Sequence, residues 1–266
     1  MPQPNQIAPA QLARLVGLPD APAILDVRLP EDLASDPRLI PGSFLMPHTA
    51  CDPAPTRLLG RRAVVVCARG RKLSEGVAAL LRTQGIAAEV LEGGSTAWAA
   101  ADLPMVPLAA LPASNLWVTR HRPKVDRIAC PWLIRRFVDP AARFLYVAPA
   151  EVAAVAERFG GTPFDIESAF FTHRDDRCSF DTMIEIFGLS TPALERLATV
   201  VRAADTDRHD LAPQAAGLLA LSVGLSRQYR DDLEQLAAGM ILYDALFRWA
   251  RDGFEEGHDW PAGRPA

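Results

Sequence analysis

Hydrophobic and polar positions follow two different textures along the chain, which change near residue 110. In the first texture, short apolar runs alternate with helical stripes. Residues 8 to 17 suit a short helix, and Ala23 to Val27 a strand. Ser35 to Pro55 is rich in proline and reads as irregular connection. Ala63-Val64-Val65-Val66 is a run of four apolar residues, three of them β-branched, which predicts a short buried strand. Leu73, Val77, Leu80 and Leu81 then repeat at the spacing of one helical face. Ala87 to Leu91 predicts another strand and Thr96 to Ala101 a closing turn of helix. Strands alternating with helices predict an α/β fold, a parallel sheet flanked by helices, with loops for chemistry at the carboxyl ends of the strands. Pro104, Pro107 and Pro112 mark a linker, giving one domain over 1–110 and a second over 111–266.

The second texture is mostly helical. Leu116 to Thr119 and Arg143 to Val147 predict strands. Cys130-Pro131-Trp132 is read as opening a helix that runs to about Val138, because proline suits a first helical position and Asp139-Pro140 ends the pattern. Pro149 to Phe159 predicts a helix stopped by Gly160-Gly161, and Thr162 to Ser179 is mixed. Helices follow at roughly 180–187, 192–204, 212–222 and 230–251. The last carries Leu233, Leu236, Met240, Tyr243 and Phe247 in a regular stripe, the ordinary signature of core packing. The polar tail from Asp252, with Gly253, Gly257 and Gly263, is expected to be loosely ordered.

Composition narrows the function classes. The chain has 266 residues, 49% of them apolar, enough to bury one or two cores. A net charge of −4 argues against a protein whose main work is coating nucleic acid. Four cysteines, at 51, 67, 130 and 178, show neither paired zinc spacing nor a disulfide framework, which fits a reducing compartment. Met1 to Gln6 lacks a cationic start followed by an apolar stretch. The longest charge-free apolar region, Leu211 to Ser226, is interrupted by Pro213, Gln214, Gly217 and Gly224, and is shorter than the roughly 20 residues that span a bilayer. A soluble, cytoplasmic protein is expected, with neither membrane nor nucleic acid as a partner.

The chemistry centres on Cys67, which ends the Ala63–Val66 run and precedes Arg69, Gly70, Arg71 and Lys72. A strand-to-helix loop sets the thiol beside a helix N-terminus, where unpaired N–H groups favour anions and a thiolate. A buried cysteine closing a core strand is the plain alternative, but a core position has no use for three adjacent cations. This loop resembles the active-site loop of the rhodanese (sulfurtransferase) family. Asp26-Val27-Arg28 with Glu31, Ile40-Pro41-Gly42-Ser43, and Leu91-Glu92-Gly93-Gly94 with Ala97-Trp98 resemble that family's other signatures, in its order, over roughly residues 5 to 105. The resemblance implies that Cys67 is the sulfur-accepting nucleophile and that Ala68, Arg69, Gly70, Arg71 and Lys72 form the substrate-binding loop. Thiosulfate or another small sulfur donor, a thiol acceptor and a Cys67 persulfide follow, with no cofactor. The family's loop commonly ends in arginine and then serine or threonine; here those positions are Lys72 and Leu73. Related cysteine loops in phosphatases and arsenate reductases place an arginine six positions after the cysteine, which here is again Leu73.

The second half has its own resemblance. Trp117-Val118-Thr119-Arg120, the stretch from Pro123 to Phe137, Phe171-Thr172-His173, Cys178-Ser179-Phe180-Asp181 and Ala204-Asp205-Thr206-Asp207 are similar to the C-terminal domain of chromate-resistance (ChrB-type) proteins. A role in chromate resistance is implied. Arg120, Arg122, Lys124, Arg127, Arg135 and Arg136 stand against Asp126 and Asp139 in the basic segment. Arg120, Lys124, Arg127, Cys130 and Arg135 are therefore expected as a site for chromate or sulfate, with a salt-bridge network as the alternative. His173 and Cys178, with Asp181, Glu185, Asp205, Asp207 and His209, are metal-ligand types. Their spacing matches no closed zinc pattern, so caps and ion pairs are expected and a metal is not. The function expected from the whole is thiosulfate sulfurtransfer coupled to a chromate or oxyanion stress domain. The alternative is a non-enzymatic redox- or chromate-responsive regulator.

Overall fold

The structure is a computed structural model, described here for residues 5–257. In the first half, β1 (Gln6–Ile7), α1 (Pro9–Ala13), β2 (Ala23–Asp26) and α2 (Pro30–Ser35) come first. The proline-rich stretch expected to be irregular holds two short strands, β3 (Arg38–Leu39) and β4 (Ser43–Leu45), and single turns at His48–Ala50 and Thr56–Leu58. Then come β5 (Ala63–Val66), α3 (Lys72–Thr83), β6 (Ala88–Leu91) and α4 (Gly94–Ala100). Five of these strands form one sheet in the order β1-β6-β5-β2-β4, and every pairing is parallel.

Side chains alternate across the sheet, as the two-residue period of a strand requires. Leu25, Val65 and Val90 face α3 and pack with its Val77, Ala78 and Leu81. Ile24, Val64 and Val66 belong to a second, larger cluster that includes Leu12, Val16 and Trp98. That cluster also contains Trp132, Phe137 and Phe247, so the two halves of the chain share one core. The Gly42 N–H donates to the Phe137 carbonyl at 2.6 Å across this junction. The segment expected to be a linker is structured: β7 (Val106–Pro107) pairs antiparallel with β3, and Trp98 Nε1 donates to the Pro104 carbonyl at 2.9 Å.

In the second half, β8 (Leu116–Arg120) is followed by α5 (Asp126–Leu133), β9 (Arg143–Val147), α6 (Val152–Phe159) and β10 (Thr162–Pro163). The three strands form a parallel sheet in the order β10-β8-β9. Four helices complete it: α7 (Ser179–Ile186), α8 (Pro192–Asp205), α9 (Ala215–Gln228) and α10 (Asp232–Arg248). The stripe on α10 is largely core, with Leu236, Met240, Tyr243 and Phe247 buried, while Leu233 is exposed. Of the polar tail, a wide helical turn at Trp249–Gly253 is described; Gly263 lies outside the described residues.

One boundary differs in a way that matters. The helix expected to open at Cys130-Pro131 opens at Asp126, so Pro131 lies inside α5 and a wider turn at Ile134–Val138 continues it. A proline in a helix interior removes the hydrogen bond to the carbonyl four residues earlier, here Arg127. The Tyr146 hydroxyl, from β9, donates to that Arg127 carbonyl at 3.0 Å and replaces the missing donor. Cys130 is consequently one full turn inside the helix and completely buried, with no exposed N–H groups beside it.

Candidate active site

β5 delivers Cys67 to the carboxyl edge of the first sheet, and α3 begins five residues later at Lys72. Cys67 is 6% exposed, and the Ser74 hydroxyl lies 3.1 Å from its sulfur. Burial alone would push this thiol up. Hydrogen bonding from the Ser74 hydroxyl and the backbone N–H groups of Arg71, Ser74 and Arg69 outweighs that and holds it below its ordinary value. Arg69, Arg71 and Lys72 are exposed and form no ion pair among the described residues. Their charge faces solvent around the mouth of the loop, which suits attraction of an incoming anion.

The loop keeps its shape because the closing glycines press against it. Gly70 has φ +61°, and a Cβ there would lie 2.8 Å from the amide nitrogens of Gly93 and Gly94 and clash with the Leu91 carbonyl. Gly94, at φ +62°, has no room either, since a Cβ would strike the Cys67 carbonyl. At the start of α4, the Ser95 and Thr96 N–H groups donate to the Cys67 and Ala68 carbonyls, each at 3.0 Å. The Cys67 and Ala68 carbonyls are thus tied to the start of α4. Asp26 and Arg28 act further off. They form a buried ion pair at 2.8 Å, and Arg28 also donates to the Asp36 and Arg38 carbonyls, at 3.1 and 2.6 Å. Cys51 is fully buried, and burial pushes its thiol up.

The five residues expected to form a dianion site in the second half are otherwise engaged, except one. Arg120 pairs with Asp165 at 2.8 Å and Arg127 with the same carboxylate at 3.5 Å. Arg135 donates to the Ala142 carbonyl at 3.1 Å and lies over the Phe144 ring. Lys124 is exposed and enters no ion pair among the described residues. Burial and the nearby Asp126, Asp165, Asp205 and Asp181 push the Cys130 thiol well up. At 0% exposed, the Cys130 sulfur offers no surface to a dianion.

The ligand types around His173 sort differently from their order in sequence. His173 Nε2 lies 3.2 Å from Asp205, 3.5 Å from Asp126 and 3.5 Å from Asp165. Hydrogen bonds to Asp165 and Asp205 push it up to about 10. Cys178 donates from its sulfur to Asp181 at 3.2 Å, and Asp181 pairs with Arg202 at 2.7 Å. Glu185 pairs with Arg177, and His209 faces Asp207, so neither joins the cluster. Sequence reasoning missed Ser74 beside Cys67, and Asp126 and Asp165 beside His173. Ser74 was legible as a hydroxyl in the first turn of α3. The two aspartates are 47 and 8 residues before His173 and had no local signal.

Two family profiles match this chain: the ChrB C-terminal domain over residues 117–250 and the rhodanese-like domain over 8–101. Protein ChrB of Cupriavidus metallidurans is 36% identical over 132 residues, which cover 49% of this chain and 39% of that protein. A rhodanese-related protein from Thermoplasma volcanium is 26% identical with a TM-score of 0.33, over 38% of this chain and 97% of that one. Thiosulfate sulfurtransferase from Pseudomonas aeruginosa is 30% identical with a TM-score of 0.34, over 39% of this chain and 19% of that one. No described helix is long and apolar enough to cross a membrane. With its second half matched along its length and a rhodanese-like domain before it, the chain belongs to the ChrB C-terminal domain family.

Proposed function

We propose that this protein is a thiosulfate sulfurtransferase working through Cys67, with its ChrB-family half tying that activity to chromate or sulfur stress in the cytoplasm. The observation that carries the reading is the Cys67 sulfur in a strand-to-helix loop, 3.1 Å from the Ser74 hydroxyl, with Arg69, Arg71 and Lys72 exposed in the same loop. In this reaction the Cys67 thiolate attacks the outer sulfur of thiosulfate. The S–S bond of the donor breaks, and sulfite leaves with the bonding pair. A persulfide remains on Cys67, with its negative charge on the outer sulfur. An acceptor thiolate then attacks that sulfur and releases the Cys67 thiolate.

The loop serves each step. Arg69, Arg71 and Lys72 attract the dianionic donor, and the amides of Arg69, Arg71 and Ser74 stabilise charge on the sulfur. Leu73 supplies no charge where phosphate-handling loops carry arginine, which favours sulfur over phosphoryl chemistry. The test is steady-state transfer from thiosulfate to cyanide or a small thiol by the purified protein. Many turnovers per chain support an enzyme. Modification of Cys67 that stops at one event per chain supports the redox-responsive regulator in its place.

A further inference from the structure

The His173 cluster lies in the other half of the chain from Cys67, and three elements build it. Asp126 opens α5, Asp205 closes α8, and His173 stands in the connection before α7. Their ligand atoms all lie within 4.8 Å of one another. Asp126 is 1% exposed, and its Oδ2 accepts from the Ser179 N–H at 2.6 Å while facing His173. Its other oxygen, Oδ1, is buried without any hydrogen-bond partner. An ionised carboxylate buried with a vacant oxygen is costly, and the usual remedies are a proton or a cation. We propose that Asp126, His173 and Asp205 bind one first-row divalent cation, of the kind from Mn2+ to Zn2+.

The spacing supports this. A metal held by bonds of about 2.1 Å sets neighbouring ligand atoms about 3.0–3.4 Å apart, from octahedral to tetrahedral angles. His173 Nε2 stands 3.2 Å from Asp205 and 3.5 Å from Asp126, close to those separations. The donor set chooses the metal class. Two carboxylates with one imidazole suit Mn2+, Fe2+ or Zn2+; an all-oxygen cage would suit Ca2+, and thiolates would suit Cu+. Cys178 gives its sulfur hydrogen bond to Asp181 at 3.2 Å, and neither Cys178 nor Cys130 is among the ligand atoms that converge with His173.

Asp165 fits as a support rather than a ligand. Its Oδ1 accepts from the Ser179 hydroxyl at 2.8 Å, and its Oδ2 holds Arg120 and, more distantly, Arg127. Those two cations offset the carboxylate that remains beside the metal. Outer partners of this kind fix the orientation of a ligand shell. Binding displaces the Nε2 proton to solvent and leaves His173 neutral as a nitrogen donor. At 42% exposed, the His173 side chain leaves the cluster open to solvent on one side, where an ion enters and water completes its coordination.

The test titrates the full-length protein, stripped with chelator, with Mn2+ alone and follows the free-ion EPR signal. About one Mn2+ per chain, competed by Zn2+, supports the site. His173→Gln and Asp205→Asn each weaken binding at least about tenfold, while Cys67→Ser leaves it unchanged. Pulsed EPR on the wild-type complex adds a readout free of any folding defect, since one bound imidazole imprints 14N modulation on the Mn2+ echo. Absence of binding, affinity unaltered in folded His173→Gln and Asp205→Asn, or a bound Mn2+ without nitrogen modulation overturns the proposal.

Discussion

The Ser74 hydroxyl lies 3.1 Å from the Cys67 sulfur and 3.0 Å from the Arg71 carbonyl, with one proton for the two acceptors. When Cys67 is a thiol, Ser74 donates to Arg71 and receives from the sulfur. When Cys67 is a thiolate, charge draws the Ser74 proton to the sulfur. This hydroxyl therefore stabilises the ionised form, and it stands seven positions after the cysteine, beyond the loop that the resemblance marks out.

A pH prediction follows from that pair. Because Cys67 is held below the ordinary thiol value, its alkylation by iodoacetamide rises with a midpoint below that of a free thiol in the same buffer. Ser74→Ala removes one donor to the thiolate, so the midpoint moves upward and the rate at neutral pH falls. Mass mapping of the alkylated cysteine keeps the reading on Cys67. An unchanged midpoint in folded Ser74→Ala would remove the serine from the account.

The glycine contacts predict a loop that tolerates no side chain. Gly70→Ala forces a left-handed backbone on a residue with a Cβ, costing about 1–3 kcal/mol before the clash with Leu91 is counted. Urea unfolding should show that loss together with a collapse of sulfur transfer. Gly76→Ala, on the open face of α3 with nothing within 4 Å of an added Cβ, is the matched control and should be neutral or stabilising.

Tyr146→Phe tests the proline inside α5. Without the hydroxyl, the Arg127 carbonyl loses the donor that stands in for the missing Pro131 N–H. A loss of about 1–3 kcal/mol is expected from an unsatisfied, part-buried carbonyl. Thermal unfolding measures it, and wild-type stability in Tyr146→Phe would mean that water satisfies the carbonyl as well.

These positions show what the sequence could carry. The β5–Cys67–α3 unit was legible because periodicity switches from strand to helix around one cysteine within twenty residues. The parallel sheet followed from alternation alone. Pro131 misled, since a proline is read as a helix start unless a distant donor, here Tyr146, repairs the interior position. The basic segment misled for a related reason. Counting charges along the chain does not show that Asp165 lies against Arg120 and Arg127, nor that Asp126 faces His173 from 47 residues away. Short strands such as β3 and β10 have two residues each and leave no pattern to read.

Reaction class is the next expectation. With Leu73 six positions after Cys67, the protein should show negligible hydrolysis of aryl phosphates beside measurable thiosulfate-dependent transfer. A charge-assisted hydrogen bond is worth about 1.5–3 kcal/mol, or roughly one to two powers of ten in rate, and leucine supplies none. Lys72→Arg should leave sulfur transfer unchanged or raise it, because it brings back the two-pronged cation usual in this loop. Phosphatase turnover matching sulfur transfer, and lost in Cys67→Ser, would move the chemistry to phosphoryl groups while keeping the nucleophile.

The central claim is that Cys67 carries sulfur catalytically. Its most direct measurement is intact-mass and peptide analysis of the protein after brief reaction with thiosulfate, run beside a steady-state transfer assay on the same sample. The account predicts one added sulfur on Cys67, discharged by cyanide or thiol over many cycles. Cys67→Ser should abolish both signals, and Cys51→Ser should leave them nearly intact. Sulfur found on Cys51, Cys130 or Cys178, or a persulfide on Cys67 that never turns over, would contradict it.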